Sequence, residues 1–245
     1  ALLLPFVTAW VSRSITQLML ATAVLSAVSA VAYGILKFPE AREASGASML
    51  ESFKALRYPG VLVFGVLLFF ESGNEAAITG WMTTWAGSMG ASVRNATLLL
   101  ALFQGMMMLG RIVAAPILKV VSNSQMVAGS AISAVIAAIL LVSAHSLTML
   151  TIGAAALGLA FAPIYPTVLA LAGDRYQRYA GTVFGILFTI GLAGGIAYPW
   201  GIGHASQSGG IRAGMWFPVV GAVAIAGLVA VLRAKYPARE QASRA

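Results

Sequence analysis

Residues Pro59 to Trp85 read PGVLVFGVLLFFESGNEAAITGWMTTW. The run is long enough to cross a hydrocarbon core of about 30 Å as a helix, yet its middle is Glu71-Ser72-Gly73-Asn74-Glu75. It is a membrane span with carboxylates inside it. Helical spacing sets Glu71 and Glu75 about 40° apart and puts Asn74 on the same side, so the three polar groups share one face. An acidic residue at the centre of a span costs about 2.5 to 3.5 kcal/mol on insertion scales, so this face is excluded from lipid. Two ionised carboxylates at this spacing repel each other in a low dielectric, and at least one is expected to hold a proton near neutral pH. Such a face either lines a water-filled pathway or joins helices. The pathway is favoured, because the chain has only seven acidic residues and spends two of them here.

The rest of the composition agrees. At 60% hydrophobic and 9% charged residues, with mean hydropathy +0.90, the chain lies outside the range of soluble domains and is read as an all-α integral membrane protein. Cysteine is absent, which excludes disulfide and thiolate chemistry. The two histidines, His145 and His204, sit at predicted span ends, so no metal site is expected. No His, Ser or Asp constellation lies at one depth, and no cofactor or enzymatic activity is expected. The net charge of +8 is assigned to membrane orientation rather than to nucleic acid.

Outward from the central stretch, apolar runs occupy roughly 14 to 36, 60 to 86, 96 to 118, 126 to 144, 147 to 172, 180 to 203 and 213 to 233, preceded by a half-span at the start. Twelve of the fifteen cations fall on one set of span ends: Lys37, Arg42, Lys54, Arg57, Arg111, Lys119, Arg175, Arg178, Arg233, Lys235, Arg239 and Arg244. Arg13, Arg94 and Arg212 fall on the other. The positive-inside rule makes the first set cytoplasmic, the C-terminus included. Trp10, Trp81, Trp85, Trp200 and Trp216 fall at outer ends, where an indole suits the headgroup layer.

Four regions follow. Residues 1–36 are the end of one transmembrane half, 37–58 a cytoplasmic loop, 59–233 a six-helix bundle and 234–245 a cytoplasmic tail. Within the loop, Ser48-Met49-Leu50-Glu51 has the pattern of a capping box and predicts a short helix on the inner leaflet. In the bundle, Gln104 lies at the depth of the acidic face and Arg111 seven residues deeper. Phe161-Ala162-Pro163-Ile164-Tyr165-Pro166 holds two prolines that remove backbone donors and bend the fourth span. Gly181-x3-Gly185 and Gly191-x3-Gly195 in the fifth have spacings that let helices approach closely.

These residues carry a resemblance. Six spans after a charged loop, Gly110-Arg111 leading through Pro116 to Lys119, the Pro163/Pro166 pair and a glycine-rich span ending Tyr198-Pro199-x-Gly201 resemble the C-terminal half of a major facilitator superfamily transporter. The preceding residues match its last one and a half N-terminal helices. The phrase Phe69 to Glu75, followed by Gly80-Trp81-Met82-Thr83-Thr84-Trp85, is most similar to the fucose permease-like sugar transporters. The resemblance implies two pseudo-symmetric halves with a solute site between them at mid-membrane and alternating access. It implies secondary transport of a small polar solute, a sugar, by proton symport in a bacterial inner membrane, with the other half and the bilayer as partners and the proton as coupling ion. The alternatives are drug or metabolite export by proton antiport and a non-transporting scaffold. Candidate solute-binding residues are Glu71, Asn74, Glu75, Gln104, Phe161 and Tyr165. Candidate structural or gating residues are Arg111, Asp174, Pro163, Pro166, Gly191 and Gly195, with Arg111 expected to pair with Asp174 or with a residue of the other half.

Overall fold

The computed structural model describes residues 15–36 and 58–235, all helix and short connection. The starting half-span, the loop helix expected at Ser48 to Glu51 and most of the C-terminal tail lie outside the described residues. The helices are α1 (Ile15–Ile35), α2 (Pro59–Ser88), α3 (Val93–Ile117), α4 (Asn123–Val142), α5 (Leu147–Phe161), α6 (Ile164–Arg175), α7 (Ala180–Gly214) and α8 (Phe217–Lys235). Because α5 and α6 are two pieces of one broken span, six spans follow α1, each long and apolar enough to cross a membrane.

Local chemistry fixes where the helices begin. Ser92 and Ser146 accept the backbone N–H of Asn95 and Met149, and Ser122 forms a full capping box with Gln125. Pro59 opens α2, where its missing donor costs nothing. Short connections then make successive spans alternate in direction. Lys119, Arg175, Arg233 and Lys235 thereby collect at one end of the bundle, with Arg94 and Arg212 at the other.

Inside the bundle, one core joins Leu67, Leu68 and Met82 of α2 with Phe103 of α3, Leu157 of α5 and Leu187 of α7. Lipid tails are as apolar as leucine, so these helices are held by packing rather than by exclusion from water. The largest interface is between α2 and α7. A Cβ built on Gly194 would fall on the carbonyl oxygen of Phe69, so the two backbones meet there. Gly191 and Gly195 belong to the same seam, their Cβ positions 3.2 Å from Ser72 Oγ and 3.9 Å from Ala76. Gly181 and Gly185 face open space. Along α1, by contrast, every described side chain except Ala21 is exposed, so its apolar surface is not covered by the other described residues.

The structure departs from the sequence reading in two further places. The span expected to end at residue 203 stays helical through the polar stretch from His204 and breaks at Gly210, whose φ of 71° and ψ of 170° turn the chain back. Arg212, beyond this break, donates from Nε to the Val142 carbonyl at 3.3 Å and lies with Nη1 and Nη2 3.3 and 3.2 Å from the ring nitrogens of His145. It thus closes the C-terminal end of α4. Of the tryptophans placed at the headgroup layer, Trp200 and Trp216 are exposed as expected, but Trp85 is buried in the core. Trp81 donates its indole N–H to the Pro199 carbonyl at 3.0 Å instead of to lipid.

Candidate functional site

The acidic stretch lies halfway along α2, a 30-residue helix. Around the helix axis Asn74, Glu71 and Glu75 occupy an arc of roughly 100°, and the bundle covers only part of it. Glu71 and Asn74 are completely buried, and both carboxyl oxygens and both amide atoms have no hydrogen-bond partner among the described residues. Glu75, at the edge of the arc, is half-buried. The expected common face is therefore divided: two of its groups face helices and one faces outward.

Asn74 is packed against α8 and α7. A Cβ on Gly221 would collide with the Asn74 amide oxygen and lie 2.7 Å from the Tyr198 hydroxyl oxygen, so the missing side chain lets both polar groups meet the α8 backbone. The Tyr198 ring is held edge-on by Phe69, Phe70 and Phe217 at centroid distances of 6.1, 6.2 and 5.7 Å. Such geometry suits aromatic quadrupoles. Neither Tyr198 nor Gly221 was singled out from the sequence as a neighbour of Asn74. The available signal was the Tyr198-Pro199-x-Gly201 phrase.

On the outward side, Gln104 donates from Nε2 to Thr79 Oγ1 at 3.1 Å, tying α3 to α2 just beyond Glu75. Tyr165 is half-buried and stacks on Phe188, with ring planes 6° apart and centroids at 6.5 Å. Phe161, one turn before it, is fully enclosed. Tyr165 and Arg111 are both close enough to interact electrostatically with Glu71 and Glu75, so the fold does gather residues of α2, α3 and α6 into one region. Thr79 and Phe188 join this group without having been expected. A hydroxyl amino acid and an aromatic on apolar spans carry no distinguishing spacing.

The pairing of Arg111 with Asp174 is not formed. Asp174 is exposed at the basic end. Arg111 instead donates from Nε to the carbonyl of Ala162 at 3.4 Å, at the break between α5 and α6. Pro163 lies in that break and Pro166 is the third residue of α6.

Comparison with known proteins decides the family. The Major Facilitator Superfamily profile matches residues 1–199. The chain belongs to the Major Facilitator Superfamily. It is similar to the human major facilitator superfamily domain-containing protein 4A, with 29% identity over 162 residues, 65% of this chain and 30% of the human protein. Among solved structures it resembles the superfamily transporter FucP in its outward conformation, with TM-score 0.69 and 20% identity. It also resembles a variant of the Escherichia coli fucose:proton symporter FucP, with TM-score 0.70 and 17% identity. Both alignments cover 88% of this chain and 54% of the symporter chain, so this superfamily member spans about half the length of those structures. At these identities the likeness establishes the fold.

Proposed function

We propose that the chain supplies one six-span half of a proton-coupled sugar symporter that works by alternating access. The observation that carries this reading is the acidic stretch of α2, where Glu71 is enclosed without a hydrogen-bond partner among the described residues while Glu75, Gln104 and Tyr165 remain partly open at the same region of the bundle. An unpaired acid inside a membrane protein is costly and marks a proton or solute path by default. The open residues suit a sugar: Gln104 and Thr79 offer donors and acceptors for hydroxyls, and the Tyr165 and Phe188 rings offer an apolar wall for the sugar's C–H face. The symport reading draws further support from the fold shared with a fucose:proton symporter. In this reading Asn74 and Phe161 back the site from inside the bundle, and a second half completes it.

The test is uptake of radiolabelled fucose by liposomes containing the full-length protein, with and without an imposed proton gradient. Gradient-dependent accumulation is expected. Accumulation of a cationic dye in exchange for protons, with no fucose uptake, would replace the symport reading with export. Liposomes carrying only residues 1–245 are expected to accumulate nothing, because half of the site is supplied elsewhere.

The same reading places the basic end of the bundle in the cytoplasm. Ser206 is unsuitable for testing this by thiol labelling from outside, since its hydroxyl oxygen is buried beneath Gly214. Ser208, two residues on, is exposed. In intact cells Ser208→Cys is expected to react with an impermeant reagent and Val120→Cys to be protected, and the reverse pattern would invert the orientation.

A further inference from the structure

Pro163 and Pro166 each remove one donor from the fourth span. In a continuous helix the N–H of residue 163 would bond the carbonyl of Leu159, and that of residue 166 the carbonyl of Ala162. The backbone stays close to helical across the break, with Ala162 at φ −47°, ψ −48° and Pro163 at φ −86°, ψ −12°, and Thr167 N–H bonds the Pro163 carbonyl at 3.1 Å. The two carbonyls are therefore aimed along the span with no donor on their own helix.

Both point toward the same dipeptide of α3. Arg111 Nε donates to the Ala162 carbonyl. Gly110 lies against the other, since a Cβ there would sit 3.1 Å from the Leu159 carbonyl oxygen and 2.5 Å from Ala162 Cβ. Any side chain at 110 would push α3 away and carry the guanidinium out of reach. Arg111 itself is exposed, so it can leave without disturbing the core. The element it holds bears Tyr165, between the two prolines.

We infer that Gly110 and Arg111 form a latch on the hinge at Ala162–Pro163, in which Arg111 replaces the backbone donor lost at Pro166 and so sets the position of α6 and of Tyr165. Arg111 is a positioning residue here, and the latch is independent of which solute is carried. With the guanidinium on Ala162, α6 continues α5. Released, the Ala162 carbonyl has no donor, and the half-span beyond the prolines is free to tilt about the break.

Residues 1–245 contain no cysteine, so once any cysteines elsewhere in the full-length protein are replaced by serine, Tyr165→Cys is a reporter whose thiol-labelling rate reads the hinge without reference to transport. In the full-length protein carrying this reporter, Arg111→Gln is expected to raise the labelling rate about tenfold, the scale of a lost hydrogen bond from a charged donor. Adding Pro166→Ala, which returns an N–H to the Ala162 carbonyl, should bring the rate back to within about twofold of Pro166→Ala alone. Pro163→Ala serves as control, because it feeds Leu159 and not Ala162, and should not rescue. The inference is overturned if Arg111→Gln has the same effect with and without Pro166→Ala, or if Pro163→Ala rescues equally. Should Pro166→Ala fail to fold, Gly110→Ala replaces it: the latch requires that Gly110→Ala reproduce the Arg111→Gln rate and that the two together add nothing, and additive effects would reject it. Because the readout is labelling, a failure of sugar uptake leaves this test intact.

Discussion

Replacing Gly194 by alanine is expected to destabilise the bundle by about 2 kcal/mol, and by valine to prevent its assembly. Two effects compete. Alanine is a better helix former than glycine by about 1 kcal/mol, so at an open position the change stabilises. At Gly194 the new Cβ would meet the backbone of Phe69, whose carbonyl carbon and Cα would lie 2.7 and 2.9 Å away. Backbone cannot rotate aside as a long side chain does, so α2 and α7 must separate along the seam that is their largest interface. That separation also loosens Gly191 from Ser72 and exposes the flank of Glu71. Thermal unfolding in detergent should order the variants with Gly194→Ala well below wild type, Gly195→Ala close to it and Gly185→Ala equal or higher. Equal stability of the alanines at 194 and 195 would show that the seam yields without cost.

Glycine spacing did not reveal which of these residues matters. Gly191 and Gly195 could be read as a close-packing pair, but the tightest contact belongs to Gly194, and Gly181 and Gly185 touch nothing. Spacing gives a face of one helix, whereas contact needs the partner's face as well. The spans themselves were plain in the sequence, because some twenty apolar residues in a row have one economical arrangement in lipid. Hydropathy falls after residue 203, which by itself predicts the end of the helix there. Backbone hydrogen bonding continued to Gly210, since polar residues at a span's mouth can stay helical while facing water. Charge pairing with Asp174 is not what engages Arg111 within this chain. The reading pairs this cation with an acid, although two prolines three residues apart create acceptors that need no charge. The Asn74 environment was hidden for a third reason: Tyr198 and Gly221 approach it from helices more than a hundred residues away, and nothing local announces them.

Glu71 is the position where stability and function are expected to separate most widely. A buried acid that held Arg111 would leave a stranded cation on substitution, at a cost of about 3 to 5 kcal/mol, and expression would collapse. Arg111 is engaged with the Ala162 carbonyl, and Glu71 has no hydrogen-bond partner among the described residues. Glu71→Gln therefore strands nothing and keeps the shape of the side chain. Glu71→Leu goes further, replacing an unsatisfied polar group in an apolar setting, a change expected to stabilise by about 1 to 3 kcal/mol. Both variants should express and unfold at or above the wild-type temperature. Transport should move the opposite way. Under the symport reading, wild-type accumulation of fucose rises as the outside medium is acidified, whereas either substitution removes the titratable proton and leaves uptake flat between pH 5.5 and 7.5, on the order of a tenfold loss at the acidic end. Glu75→Gln, at the half-open edge of the same arc, should lower solute affinity while keeping some pH dependence. Collapse of Glu71→Leu in expression would assign the residue to the architecture of the bundle. Full gradient-driven uptake by the same variant would remove Glu71 from the proton path, leaving Glu75 as the acid that the solute or the proton meets.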